Sequence, residues 1–558
     1  MTTAEPAPHL VDVENLHVTF GSGRSAVYAV RGVSFTVDAG QSVAVVGESG
    51  SGKSVTARSL IGLAGRGSAV RADRLRIEGT DARALPEGRW RQLRGKHVGF
   101  VLQDALGSLD PARRVGAEVG ETLLAHRTVA RSAVPGKVVD LLRQVGVPSP
   151  EARASQFPHQ LSGGLRQRAL IASAIAADPA LLIADEPTTA LDVTVQAQIL
   201  QLLAQRKATG IALLLISHDL AVVSTVADHV LVMKDGVFVE QGPTRQVLDD
   251  PQHPYTRQLL AAVPVAHARG TRLSPRAGFT AQPRPVAGQE VVLEAKNLVK
   301  TFQVPGQGSL TAVDDVSLQL YAGETLGIVG ESGSGKSTTA RLLLDLDRPD
   351  SGTVDVDGTR WSRLDARAQR VLRQRIQVVY QDPLSSFDPR YPVERIVAEP
   401  LAVAGQPRTG RRARVLELLD QVGLTADVLD RRPAQLSGGQ RQRVAIARAL
   451  APRPRVIVCD EPVSALDVSI QAQVLDLLAD LQAELGISYV FISHHLGVIY
   501  HVSDRVLVMK DGKVVESGDV EQIFHHPRHA YTRNLLAAVP TLEGAALRPR
   551  AAEPQVTR

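Results

Sequence analysis

Two copies of one eight-residue string, GESGSGKS, occur in the chain, at residues 47–54 and 330–337. The glycines let consecutive backbone N–H groups turn inward around an anion, because glycine has no Cβ that would clash there. The lysine could reach the β- and γ-phosphates of a nucleotide, and the serine after it could bind Mg²⁺. The string therefore predicts two sites for a nucleoside triphosphate. The predicted contacts are Gly47, Ser49, Gly50, Gly52, Lys53 and Ser54 in the first copy and Gly330, Ser332, Gly333, Gly335, Lys336 and Ser337 in the second.

The segments on either side of each string predict the elements that would hold it. Apolar runs precede the two copies, at residues 43–46 and 326–329, and helix-like stretches begin near Ser54 and Ser337. This order of strand, loop and helix is the context that such a phosphate loop requires, and the positive N-terminus of the helix would point at the same anion. We therefore expect each string to lie between a buried strand and a helix.

Two further apolar runs, at residues 181–184 and 456–459, each end in an Asp–Glu pair. A continuous apolar run of this length predicts a strand that is buried on both faces of a parallel sheet. Ligands of such sheets bind at the carboxyl ends of the strands. We expect the aspartates to hold Mg²⁺ through water and the glutamates to polarise the attacking water as general bases. The predicted metal-binding acids are Asp185 and Asp460, and the predicted catalytic acids are Glu186 and Glu461.

A Ser-Gly-Gly triplet lies about 20 residues before each acidic pair. A serine at a helix N-cap leaves backbone N–H groups of the first turn available, which makes a second anion-binding end. Alone, the triplet would indicate only a capped helix. Its recurrence at the same place in both halves favours phosphate binding. The residues concerned are Ser162, Gly163 and Gly164, and Ser437, Gly438, Gly439 and Gln440.

The motifs recur as whole sets. Lys53 and Lys336 are 283 residues apart, and Glu186 and Glu461 are 275 apart. A nearly constant offset indicates two homologous domains, and the period is far too long for a solenoid. The predicted parts are an N-terminal tail 1–9, a first domain 10–264, a flexible Pro- and Gly-rich linker 265–289, a second domain 290–540 and a disordered tail 541–558.

With these residues in place, the chain resembles the ATP-binding-cassette (ABC) ATPases over residues 10–264 and 291–540. The resemblance implies an α/β fold of two tandem P-loop NTPase domains, each with a RecA-like core, an antiparallel β-subdomain and an inserted helical subdomain. It gives Gln103 and Gln381 the role of sensing the γ-phosphate and Mg²⁺. It makes His218 and His494 catalytic switch histidines, places Asp192 and Asp467 in D-loops, and stacks Phe20 and Phe302 on adenine, with a core role for the two aromatics left open.

The same resemblance implies a head-to-tail pairing of the two domains. Each ATP would lie between the phosphate loop of one half and the Ser-Gly-Gly signature of the other. One residue departs from the family pattern, because Leu165 replaces the glutamine that follows the first triplet. Both catalytic glutamates are present, so we expect two competent sites and leave the equality of their rates open.

Two further features are similar to the ATPases of oligopeptide, dipeptide and nickel importers. They are the segments after Gln103 and Gln381 and the two Pro-x-His-x-Tyr-Thr-Arg segments at 251–257 and 527–533. This resemblance implies two transmembrane permease subunits and an extracytoplasmic solute-binding protein as partners, at the cytoplasmic side of the membrane. Many relatives hold an iron–sulfur cluster through several cysteines. This chain has one cysteine, Cys459, so no cluster is expected.

Composition limits the other function classes. No apolar run approaches the roughly 18 residues that span a bilayer, and the first residues do not have the pattern of a signal peptide. The net charge is +5, but no basic run is paired with stacking aromatics, so no nucleic-acid partner is expected. Nickel, glutathione or another small solute remains open as cargo, as does an exporter. A soluble twin-cassette translation factor is a further alternative, although its long, charged, helical linker would not match residues 265–289.

Overall fold

The computed structural model describes residues 9–23, 26–103, 105–188, 191–264, 269–274, 288–304 and 308–540. The chain divides into two compact units, with the main boundary between Leu260 and Ala261. The two predicted tails and most of the predicted linker lie outside the described residues. None of the helices in the described ranges is both long enough and apolar enough to cross a membrane.

The first unit is built from eleven strands and eleven helices in its described residues. The strands are β1 (Val11–Phe20), β2 (Val27–Val37), β3 (Ser42–Val46), β4 (Ser68–Arg71), β5 (Arg74–Ile77), β6 (Thr80–Asp81), β7 (Val98–Val101), β8 (Leu181–Asp185), β9 (Ala212–Ser217), β10 (His229–Lys234) and β11 (Val237–Pro243). The helices are α1 (Lys53–Ser59), α2 (Glu87–Leu93), α3 (Ala105–Ser108), α4 (Val115–His126), α5 (Val134–Gln144), α6 (Pro150–Ala154), α7 (Gly163–Ala174), α8 (Val193–Ala208), α9 (Leu220–Val226), α10 (Thr244–Asp249) and α11 (Pro254–Ala261).

The second unit repeats this order of elements. Its strands are β12 (Val291–Val304), β13 (Gly308–Tyr321), β14 (Thr325–Val329), β15 (Ser351–Val356), β16 (Thr359–Arg360), β17 (Ile376–Val379), β18 (Val456–Asp460), β19 (Ser488–Ile492), β20 (Arg505–Lys510) and β21 (Lys513–Asp519). Its helices are α12 (Lys336–Leu343), α13 (Ala366–Leu372), α14 (Pro383–Ser386), α15 (Val393–Val403), α16 (Arg408–Gln421), α17 (Gly438–Leu450), α18 (Val468–Leu485), α19 (Leu496–Val502), α20 (Val520–His525) and α21 (Ala530–Ala537).

Both units contain a six-stranded sheet of the same topology. The strand order is β7-β8-β9-β3-β10-β11 in the first and β17-β18-β19-β14-β20-β21 in the second. The first five strands of each sheet are parallel and the last is antiparallel. The central strands β3, β8 and β9 are buried along their whole length, as the continuous apolar runs predict for strands covered on both faces. The predicted α/β fold is confirmed.

Each unit also has a smaller antiparallel sheet, ordered β2-β1-β5-β6 in the first unit and β13-β12-β15-β16 in the second. The two sheets differ at one position. In the first unit β4 and β5 both pair with β1, whereas in the second the single strand β15 pairs with β12. A common apolar core joins each antiparallel sheet to the parallel sheet of its own unit.

In each unit a group of helices is inserted in the chain between two neighbouring strands of the parallel sheet. These are the edge strand and the strand that carries the acidic pair. In the first unit the inserted helices are α4 to α7, and in the second α15 to α17. Val119 and Leu123 on α4, and Val138 and Leu142 on α5, are buried at i, i+4 spacing, which gives each helix one apolar face. These helices are the inserted subdomain that the resemblance implies.

Six residues of the predicted linker, 269–274, are held against α18 and do not fit the prediction of a flexible segment. Asp476 on α18 accepts hydrogen bonds from the N–H groups of Leu273 at 3.0 Å and Ser274 at 2.8 Å. Arg272 donates two hydrogen bonds to Asp480, at 2.8 and 3.2 Å, one helical turn further on. The leucine side chain is buried beside them. We refer to residues 269–274 as the strap.

Candidate nucleotide-binding sites

The topology of the parallel sheet brings the predicted site residues of each unit to one edge. In the first unit β3, β9, β8 and β7 are successive neighbours, and all four end at the same side. The residues that follow them are the phosphate loop, His218, Glu186 and Gln103. Residues separated by more than a hundred positions thus meet because parallel strands end together.

The phosphate loop of the first unit already holds its lysine in place. Lys53 is buried, and its Nζ donates hydrogen bonds to the backbone carbonyls of Gly47 at 2.8 Å and Glu48 at 2.7 Å. Gly47 and Gly52 have positive φ angles of 152° and 106°. A Cβ at these positions would lie 2.1 and 2.4 Å from backbone oxygens of neighbouring strands, so only glycine fits.

The oxygen atoms at the start of α1 and the end of β8 suit a hard divalent cation. The Ser54 hydroxyl donates a hydrogen bond of 2.8 Å to Oδ1 of Asp185. The other carboxylate oxygen, Oδ2, is buried without a hydrogen-bond partner in the described structure and lies 3.7 Å from Nη2 of Arg58. Burial raises the pKa of Asp185, while Ser54 and Arg58 lower it in part. Hydroxyl and carboxylate oxygens are the ligands that Mg²⁺ prefers, so these residues fit the ion.

The catalytic candidate Glu186 follows β8 in a left-handed conformation, with φ of 48°. Its N–H donates to the carbonyl of Ile216 on β9 at 2.9 Å, which holds the backbone in this uncommon region. Its carboxylate accepts a hydrogen bond of 2.9 Å from the Gln103 amide, and its Oε2 lies 3.3 Å from Nδ1 of His218. Three predicted site residues therefore form one polar network, with the glutamate between the other two.

The second unit repeats the arrangement around Lys336 and Glu461. Lys336 Nζ donates to the carbonyls of Gly330 and Glu331, both at 2.8 Å, and burial lowers the pKa of the lysine. Glu461 also has a positive φ, 52°, and its Oε2 lies 3.1 Å from Nδ1 of His494. Burial acts to raise the pKa of Glu461, but the hydrogen bond and charge of His494 bring it below its usual value.

Two contacts differ at the second site. Ser337 donates to Asp460 at 3.3 Å, a longer bond than its counterpart in the first unit. Gln381 is exposed and makes no hydrogen bond with Glu461 in the described part of the unit. Burial, followed by the neighbouring Glu461 carboxylate, raises the pKa of Asp460.

The Ser-Gly-Gly triplets lie at the start of α7 and α17, as predicted. The hydroxyl of Ser162 accepts the Leu165 N–H at 3.4 Å, and that of Ser437 accepts the Gln440 N–H at 3.2 Å. Only the second helix has a full capping box, because Oε1 of Gln440 also accepts the Ser437 N–H at 3.1 Å. A Cβ on the second glycine of either triplet would lie 2.6 Å from the next helix, from Val195 in one unit and Ile470 in the other.

The remaining predicted residues have simpler surroundings. Phe20 is partly buried against the core of the first unit, whereas Phe302 is 38% exposed and has Lys300 Nζ 5.5 Å from its ring centroid. Asp192 accepts a hydrogen bond of 2.8 Å from Thr194 beside it, and Asp467 is the N-cap residue of α18. The stacking of the two phenylalanines on adenine and the D-loop role of the two aspartates stay predictions. Cys459 is wholly buried in β18, and burial raises the pKa of its thiol.

Sequence reasoning missed one pair of residues next to the phosphate loops. The hydroxyl oxygens of Tyr255 and Tyr531 accept the backbone N–H groups of Glu48 at 3.1 Å and Glu331 at 3.0 Å. Both tyrosines belong to the Pro-x-His-x-Tyr-Thr-Arg segments, which indicate the family resemblance. Because these segments recur at the end of each domain, they could also have indicated a role at both sites.

Comparison with known proteins identifies the family of the chain. The chain matches the family "ABC transporter" at residues 30–189 and 313–464, which is more than half of its length. Residues 239–287 and 515–558 match "Oligopeptide/dipeptide transporter, C-terminal region". A solved dimeric ATP-binding cassette in a post-hydrolysis state with ADP and Pi is 34% identical, with a TM-score of 0.38, and covers 41% of this chain and 98% of that one.

Two kinds of named relative align over nearly the whole chain. The oligopeptide transport ATP-binding protein OppD of Mycobacterium bovis is 44% identical over 95% of this chain and 98% of its own. The glutathione import ATP-binding protein GsiA of Escherichia coli K12 is 43% identical over 98% of this chain and 92% of its own. The chain binds ATP and is an ATPase, and it belongs to the twin-cassette ABC ATPases of the oligopeptide/dipeptide importer type.

Proposed function

We propose that the chain is the ATP-hydrolysing motor of an importer for di- and oligopeptides. The observation that carries the choice of cargo is the double match to the oligopeptide/dipeptide C-terminal region, once after each cassette. The partners in this proposal are two transmembrane permeases and an extracytoplasmic solute-binding protein. The chain acts at the cytoplasmic face of the membrane, where the inserted helical subdomains dock the permeases.

Each ATP, in this proposal, is bound by the phosphate loop of one cassette and the signature of the other. The first composite site pairs Lys53 and Glu186 with Ser437, and the second pairs Lys336 and Glu461 with Ser162. The support is that each loop and its acids are assembled within one unit, while each signature serine caps a helix whose first N–H groups could receive an anion.

The residues of each site divide the work of hydrolysis. The lysine moves from the loop carbonyls to the phosphates, and the serine and aspartate would hold Mg²⁺, which would supply neutralising charge. The glutamate accepts a proton from the attacking water, and the histidine beside it keeps the carboxylate oriented. The glutamines report the state of the site to the helical subdomain that follows them in the chain.

Glutathione import is a second candidate, favoured by the 43% identity to GsiA over 98% of this chain. Uptake in cells separates the two. The chain is replaced by the Glu186→Gln, Glu461→Gln variant, and uptake of labelled di-, tetra- and hexapeptides is compared with uptake of labelled glutathione. The proposal expects peptide uptake to stop and glutathione uptake to continue.

Loss of glutathione uptake alone would assign the second cargo, and unchanged uptake of both would overturn the proposal. Cells that carry Glu484→Gln, an exposed acid near the end of α18 and outside the helical subdomain, are the control for expression and assembly. Purification of the tagged chain from gently solubilised membranes tests the partners, since two permeases must co-purify with it.

A further inference from the structure

A single peptide group in each phosphate loop is held from both sides. In the first cassette the carbonyl of Gly47 accepts the Lys53 ammonium at 2.8 Å. The N–H of Glu48 donates to the Tyr255 hydroxyl at 3.1 Å. This carbonyl and this N–H belong to the same peptide group, which is planar. A contact that fixes the N–H therefore also fixes the direction of the carbonyl that receives the lysine.

The loop needs such a contact because the residue before the peptide is a glycine. Gly47 must be a glycine, since a Cβ would lie 2.1 Å from the Met233 carbonyl. Glycine gives the backbone the widest choice of dihedral angles, so the peptide that follows it has little steric restraint of its own. If that peptide rotated, Lys53 would lose one of its two carbonyl acceptors.

The tyrosine is itself firmly placed. Tyr255 is 4% exposed, and Lys234 Nζ lies 4.9 Å from its ring centroid. Its backbone N–H donates to Nδ1 of His253 at 3.2 Å. Glu240 on β11 in turn accepts the N–H groups of Gln252 at 2.7 Å and His253 at 3.1 Å. The His-Pro-Tyr turn is thus anchored on the sheet and carries a fixed hydroxyl to the loop.

The second cassette contains the same set of contacts. The Glu331 N–H donates to the Tyr531 hydroxyl at 3.0 Å, and Lys510 Nζ lies 5.0 Å from the tyrosine ring centroid. Glu516 accepts the N–H groups of Arg528 at 2.7 Å and His529 at 3.1 Å. Burial raises the pKa of Tyr531 to about 12, so its hydroxyl stays neutral at physiological pH.

We propose that Tyr255 and Tyr531 are positioning residues of the two ATP sites, whose hydroxyls lock the Gly–Glu peptide and thereby hold the lysine and the loop ready for phosphate. The C-terminal region of each cassette then takes part in nucleotide binding. This role depends on the ATPase activity and not on the cargo. It would be the same for any transported solute.

Phenylalanine substitution tests the hydroxyl alone, because the ring and its packing against the lysine are kept. In Tyr255→Phe plus Tyr531→Phe, we expect the KM for ATP to rise about three- to tenfold, as for loss of one hydrogen bond per site. The value of kcat should change less than twofold. Tyr500→Phe is the matched control, since that buried hydroxyl contacts Glu521 and His525 and not a phosphate loop.

Equilibrium binding keeps the test independent of turnover. The affinity for ATP should fall by the same factor as KM rises, while the affinity for adenosine, which has no phosphate, should not change. Unchanged ATP affinity would overturn the proposal, and so would equal losses for ATP and adenosine. Absence of ATP binding in the unsubstituted chain would instead contradict the ATPase assignment.

Discussion

The two cassettes have the same loop sequence and the same sheet topology, yet the aspartate that we propose as a Mg²⁺ ligand has different neighbours in each. Asp185 lies 3.7 Å from Arg58 on α1. The corresponding arginine on α12, Arg341, instead donates to Asp347 at 2.6 Å, and Ala64 stands at the position of Asp347 in the first unit. The two arginines therefore have different acidic partners, and one of these acids, Asp347, lies outside the motifs.

The two glutamates that we propose as general bases also have different neighbours. The Glu186 carboxylate receives a hydrogen bond from Gln103, whereas the Glu461 carboxylate receives none from Gln381 in the described residues and has Nδ1 of His494 3.1 Å from its Oε2. The signature helices differ as well, because Leu165 cannot make the reciprocal bond that Gln440 makes. The shared motifs therefore predict that two sites exist but not that their electrostatics are equal. One difference, at Asp347, lies just outside the motifs, and another, Leu165 in place of Gln440, lies within the signature.

The largest expected effect comes from removing both catalytic carboxylates. In Glu186→Gln plus Glu461→Gln, steady-state ATP turnover should fall by a factor of about 100 or more, because a positioned base contributes roughly 10²–10⁴-fold. The two single variants should retain unequal rates, which would rank the sites. Glu484→Gln should leave turnover unchanged. Full activity in the double variant would show that other groups activate the water.

The strap gives the second cassette a contact that has no counterpart among the described residues of the first. Asp476 is buried and accepts the N–H groups of Leu273 and Ser274, so Asp476→Ala should lower the free energy of unfolding of this cassette by about 1.5–3 kcal/mol. The position at the same offset in the first cassette is Gln201, which is exposed, and Gln201→Ala should cost almost nothing. Chemical denaturation followed by hydrogen exchange measures the two costs, in α18 for Asp476→Ala and in α8 for Gln201→Ala. Equal losses of unfolding free energy in the two variants would mean that the strap does not stabilise the second cassette.

The pH dependence of turnover should reveal the pairing of Glu461 with His494. This pairing lowers the pKa of Glu461 against the opposing effect of burial, and a carboxylate serves as a base only above its pKa. In His494→Ala the pKa should rise, and the acidic limb of the pH–rate profile should move to higher pH. Measurement in a Glu186→Gln background isolates this site. A shift to lower pH would contradict the assignment.

The smallest expected effect concerns the signature helices. Leu165→Gln should complete the capping box and stabilise the first helical subdomain by about 0.5–1 kcal/mol, and Gln440→Leu should destabilise the second by a similar amount. Thermal unfolding of the two single variants measures both changes in stability. The variant that carries both substitutions is the control. Shifts of the same sign would show that capping does not distinguish the helices.

Much of each site followed from the sequence, because strand ends obey a simple rule. The phosphate loops, Asp185 and Glu186 could be predicted to lie at one edge, since each follows an apolar run in a parallel sheet. His218 was predicted only through the family resemblance. The Tyr255 contact was not predictable in this way. It joins residues 207 positions apart and depends on where α11 begins against the loop. The strap was missed because its composition is that of a linker, and its partners are two acids on a distant helix.

The central claim is that both cassettes bind ATP. The most direct measurement is the number of ATP molecules retained per chain by the Glu186→Gln, Glu461→Gln variant with Mg²⁺, determined by native mass spectrometry. We expect two ATP per chain, falling to one when Lys53→Ala or Lys336→Ala is added. A value of one before any lysine is changed would contradict the central claim.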